Sequence, residues 1–170
     1  MSISVMRFVS SGVGIVLGGL FVYAGVQKHL APYEFAEAIL AYQLLPVGLV
    51  GLVAATLPWV EMVSGFSLIL GCFLQSRQLS NPFSIGAILR RSGLLLILGQ
   101  SLLFVALLLI TLARGLRIDC GCGLFLDRQV GLGAILEDAL LLGVAGWLYW
   151  REGKIGGREE GSLTPVQSKV

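Results

Sequence analysis

The chain has 170 residues, of which 56% are hydrophobic and only 13% charged, and its mean hydropathy is +0.88. Soluble domains carry about 25% charge, which argues against a water-soluble fold, a disordered chain and a coiled coil. The net charge of +2 comes from scattered basic residues that form no stripe, so no nucleic-acid partner is expected. Three cysteines are too few for a disulfide scaffold, and the length suits one domain.

A membrane span needs about 20 mostly apolar residues. The first such stretch, 8–27, is uncharged. Arg7 precedes it, but Val22-Tyr23-Ala24 is a poor signal-peptide cleavage site and the apolar run continues past it, so it reads as a span. Gly14 and Gly18 form a Gly-x-x-x-Gly that suits close packing inside a bundle. Pro32 then opens a short helix in which Phe35, Ile39 and Tyr42 recur at helical spacing, with Glu34 and Glu37 between them. This predicts an amphipathic helix on the membrane surface, closed by Pro46. The second span, 47–74, contains Pro58 and Glu61; Pro46, Pro58 and Trp59 are candidates for shaping a pocket there. A polar loop over 75–91 leads to the third span, 93–113, whose only amide is Gln100. The fourth span, 131–150, carries Glu137 and Asp138.

These runs lack the period-two alternation of a barrel. The expected fold is therefore all-α: an integral membrane four-helix bundle over 1–151 with a surface helix between spans one and two. A polar, mobile cytoplasmic tail is expected over 152–170. With both termini on one side, that side holds eight Lys and Arg and the other four, so the termini are expected in the cytoplasm. Trp147, Tyr149 and Trp150 before Arg151 suit an aromatic anchor at that boundary.

The second outer loop contains Asp119-Cys120-Gly121-Cys122-Gly123. The charge bias puts Cys120 and Cys122 on the extracytoplasmic side, where disulfides persist. A Cys-x-Cys disulfide closes a small, strained ring, and strain makes it easier to reduce. Such a bond constrains the unfolded chain little and suits exchange. Redox exchange ranks first. Two other readings stand beside it: a pair of idle thiols, and a soft-metal site such as one for Cu(I), completed by His29, the only histidine. Cys72, toward the cytoplasmic end of span two, reads as a small apolar core residue.

Ionisable groups inside a span are costly and point to function. Glu61 lies roughly 20 Å along span two at 1.5 Å per residue. Lys28 ends span one and is positioned to pair with a carboxylate. Lys28, Glu61, Glu137 and Asp138 therefore read either as a buried ion-pair set or as proton-handling groups.

Several segments carry a family resemblance. They are Tyr23-Ala24-Gly25-Val26-Gln27-Lys28, Phe35-Ala36, Tyr42-Gln43-Leu44-Leu45-Pro46 and Leu57-Pro58-Trp59-Val60-Glu61, followed by the Cys-x-Cys segment and Glu137-Asp138. In this order they resemble the MauE proteins of methylamine utilisation and related DoxX-like membrane proteins, over nearly all of the four-span region. The resemblance implies a four-helix membrane protein linked to maturation of methylamine dehydrogenase, whose small subunit is disulfide-rich. It implies action beside MauD, a periplasmic thioredoxin-like protein, and DoxX-like relatives suggest quinone chemistry. Lys28, Pro46, Glu61, Cys120, Cys122 and Asp138 stand at its motif positions; Glu137 stands where an Arg is expected.

The expected function is a thiol–disulfide redox protein of a bacterial-type inner membrane. Cys120 and Cys122 exchange a disulfide with an extracytoplasmic thioredoxin-like partner or a disulfide-containing substrate protein, and quinone is the expected cofactor. No haem or nucleotide motif occurs in the sequence. A soft-metal binding protein and a non-catalytic assembly subunit are the rival expectations.

Overall fold

The computed structural model describes residues 3–77, 84–115 and 132–160. The expected sites Cys120 and Cys122 lie outside the described residues. Five helices follow one another: α1 (Ile3–Leu30), α2 (Pro32–Ala41), α3 (Val47–Arg77), α4 (Ile85–Ala113) and α5 (Leu132–Glu160). All but α2 contain a stretch long and apolar enough to cross a bilayer, which makes this a multi-pass helical membrane protein. Large apolar side chains such as Phe8, Val16, Leu52, Leu102 and Leu140 face outward, as a lipid-solvated bundle requires.

The helices pack mainly in the order α1–α3–α4–α5, and α1 also touches α5. Leu17 and Phe21 of α1, Leu68 of α3, Leu94 and Ile97 of α4 and Leu148 of α5 meet in one core. Lipid is as apolar as leucine, so close packing and polar contacts must hold such helices together. Gly18 and Gly65 provide the close approach between α1 and α3. A Cβ on Gly18 would lie 2.8 Å from the Gly65 carbonyl oxygen, and one on Gly65 only 2.5 Å from that of Gly18. Cys72 is buried against Gly14, the apolar core role expected of it.

Three boundaries differ from the sequence expectation. First, α4 begins at Ile85 rather than Gly93, because the Ser84 hydroxyl caps it by accepting from the Ala87 N–H. Arg90, expected in a loop, is thereby buried at 3% exposure. Its Nε lies 3.0 Å from Glu152 Oε1, and its Nη1 donates to Gln75 Oε1 at 3.2 Å. Second, α5 continues through Glu160, so the expected mobile tail starts as helix, with Glu152 held by Arg90. Third, α2 forms where Pro32 predicts it, but its apolar face is not left for lipid. Phe35 and Ile39 pack on Val50 and Ala54 of α3.

The connection after α2 turns at Gln43, which adopts φ 52° and donates its N–H to the Leu40 carbonyl. Tyr42 packs with Leu108, Ala134 and Ile135, and its carbonyl accepts from Arg114 Nη1 at 3.0 Å. The ends of α2 and α4 and the start of α5 thus meet at one end of the bundle.

Candidate functional site

Between the core and that end, α1, α3 and α5 bring charge into the bundle. Lys28, on the last turn of α1, reaches across to Glu61 of α3. Its Nζ donates to both carboxylate oxygens, at 2.7 and 2.9 Å. Lys28 is 6% exposed and Glu61 1%. The sequence had left open which carboxylate Lys28 meets; the two-oxygen contact settles on Glu61. Phe35 of α2 and Phe104 of α4 flank the ammonium, with ring centroids 5.7 and 5.6 Å from Nζ. Such faces add cation–π stabilisation where water is excluded.

A second carboxylate joins the pair from α5. Asp138 is 6% exposed, and its Oδ2 is buried without a hydrogen-bond partner. Ser101 of α4 is 2% exposed, and its Oγ likewise lacks a partner. Lys28, Glu61, Ser101 and Asp138 line one small cavity together with Phe21, Ala24, Phe104 and Leu141. About 20 Å³ of it is open to the centre of a water molecule. That exceeds the roughly 10–15 Å³ a water needs. Glu137, one position from Asp138, is half-buried, with Oε1 also unpartnered.

A separate polar link starts at the backbone carbonyl of Glu61. The Ser64 hydroxyl donates to the Glu61 carbonyl at 2.9 Å, and Gln100 Nε2 donates to Ser64 Oγ at 3.2 Å. Tyr42 lies on the side nearer the bundle end. Burial pushes its phenol up to about 12, and the negative charge of Asp138 adds to that rise.

The structure thus brings Lys28, Glu61 and Asp138 together, with Glu137 beside them. It does not bring in the expected pocket-shaping residues. Pro46 is exposed on the loop, and Trp59 is 55% exposed, its ring edge-on to His29 at 5.2 Å between centroids. Pro58 is buried, with its carbonyl facing Gly25 of α1 rather than the cavity. Trp59 turns away because it is two positions from Glu61 on a helix, about 200° around the axis. Sequence reasoning missed Ser101, Phe104 and the Ser64–Gln100 link. A serine within a leucine-rich run carries no signal of what it faces. Among the described residues no group of three or more His, Cys, Asp or Glu is arranged to hold a metal ion.

Four apolar helices around a buried lysine–carboxylate cluster define an integral membrane protein with a polar centre set into its bundle. The chain belongs to the MauE family: the family model described as Methylamine utilisation protein MauE matches residues 6–151. No curated protein and no solved structure matches it. Family membership makes it a membrane protein related to methylamine utilisation.

Proposed function

We propose that this MauE-family protein is a membrane thiol–disulfide redox protein with a thiol:quinone oxidoreductase-like role. Cys120 and Cys122 exchange a disulfide with an extracytoplasmic thioredoxin-like partner, as in maturation of a disulfide-rich dehydrogenase subunit. The observation that carries this reading is the Cys-x-Cys segment in a chain whose family match spans 6–151. In the exchange, a thiolate attacks one sulfur of the opposing disulfide, and the mixed disulfide is resolved by the second thiol. Two electrons and two protons pass one way while the disulfide passes the other.

Quinone is the assigned carrier because it takes up two electrons and two protons, the amount a dithiol releases. The Lys28–Glu61–Asp138 cavity has room for water, so the part assigned to this cluster is proton handling. The exposed residues Tyr33, Glu34 and Glu37 of α2 offer a contact face for the partner at the end where Arg114 meets Tyr42.

The test is partner oxidation state in membranes carrying Cys120→Ser with Cys122→Ser. Loss of exchange at unchanged expression supports the reading; retained exchange refutes it and leaves an assembly role. His29→Ala is expected to leave exchange intact. Joint failure of His29→Ala and the cysteine variants, with soft metal copurifying, would support a metal site instead.

A further inference from the structure

Glu61 and Asp138 are the two carboxylates that line the cavity, and their surroundings separate them. Glu61 spends both oxygens on Lys28 Nζ, and the two charges cancel. Protonating Glu61 would remove the negative charge that faces Lys28 Nζ at 2.7 and 2.9 Å, a costly loss in a buried site. Asp138 has no such bond. Its Oδ2 is unpartnered, and the residue is 94% buried at 6% exposure. Ser101 Oγ, unpartnered and equally buried, lines the same cavity. An orphaned buried oxygen is costly, and a cavity large enough for water with several polar walls relieves two at once.

We propose that Asp138, rather than Glu61, is the side chain on which this cluster takes up and releases a proton, through a water held between Asp138 Oδ2 and Ser101 Oγ. This rests on the proton half of the proposed function. A proton reaching the water passes to Oδ2 to give the carboxylic acid and leaves the water neutral; release reverses this, and no electron moves. The charged and titratable groups facing Asp138 are Lys28 from α1, Glu61 from α3, Tyr42 after α2 and Glu137 on its own helix. From α4 comes the neutral Ser101. One ammonium thus faces more than one carboxylate, and the proton supplies the missing positive charge. Phe21, Phe104 and Leu141 give the cavity its apolar walls. Tyr42, half-buried, packs against Ala134 and Ile135 one turn before Asp138.

Infrared difference spectra of the full chain in lipid nanodiscs, taken across a pH titration, test this without reading thiol chemistry. The expected result is a titrating carboxylic-acid C=O band that is lost in Asp138→Asn, kept in Glu61→Gln and shifted in Ser101→Ala. Wild-type protein carrying carboxyl-¹³C aspartate shifts the band, and protein carrying carboxyl-¹³C glutamate does not; this arm needs no variant to fold. A band that follows the glutamate label, or no titrating band, overturns the proposal. Failure of the cysteine test with the aspartate band intact would refute the redox reading alone.

Discussion

Lys28 and Glu61 sit at opposite faces of the α1–α3 contact and meet with both carboxylate oxygens within 2.9 Å of one ammonium. The pair fixes the end of α1 against the middle of α3, beside the close approach of Gly25 to Pro58 and Met62. Removing one partner leaves the other charged and buried, which costs about 3–5 kcal/mol. Lys28→Met and Glu61→Gln are each expected to lower the unfolding temperature clearly. Lys28→Met combined with Glu61→Leu is expected to recover much of that loss. Equal stability of the single variants and wild type in a denaturation series would remove the pair from the account.

Gly65 packs against α1, whereas Gly19 faces open space. Gly65→Ala is expected to cost about 1–3 kcal/mol, since its Cβ would meet backbone that cannot rotate away. Gly19→Ala is expected to be neutral or to gain up to about 1 kcal/mol from helix propensity. Thermal unfolding of the two variants side by side checks the α1–α3 interface, because only the first should be impaired.

At the other end of the bundle, Arg90 joins α4 to Glu152 of α5 and Gln75 of α3. Arg90→Met leaves Glu152 without its cation and is expected to loosen the end of α5. Arg91 is exposed, and Arg91→Ala is expected to stay within about 0.5 kcal/mol of wild type. Arg90→Lys cannot reproduce the forked contacts and should fall between them. Hydrogen exchange over 148–160 reads the difference directly.

The spans were legible in the sequence because apolar length is a strong signal, and Pro32 marked the start of α2 for a local steric reason. Lys28, Glu61 and Asp138 stood out because charges inside apolar runs are rare. Arg90 is hidden for the same reason inverted: a charge near the end of an apolar run reads as loop. Its neutralising partner, Glu152, lies on another helix and leaves no mark on the local sequence. Ser101 and Phe104 were invisible for a related cause. Their role comes from facing Asp138 and Lys28 across helix contacts that no periodicity encodes. Trp59 looked like a pocket residue from its nearness to Glu61 in sequence, but helical geometry turns it outward.

Tyr42 connects that buried cluster to the bundle end. Burial pushes its phenol up to about 12, and the charge of Asp138 adds to the rise. Because the folded-state value is raised, the stabilisation it gives is complete below about 10, the unfolded value, and is lost as pH rises through about 12. A phenolate absorbance titration is expected to lose its step near 12 in Tyr42→Phe. Asp138→Asn should move that step to lower pH, and an unmoved step would mean that Asp138 does not act on Tyr42.

The central claim is that Cys120 and Cys122 cycle between dithiol and disulfide in step with a carrier in the bilayer. The most direct measurement traps thiols in intact membranes with a bulky maleimide added from outside. Modified cysteines are then counted by gel shift, with and without added quinone. The account predicts a reduced pair that labels without quinone and becomes protected when quinone is added. Two thiols that label equally in both conditions would contradict it.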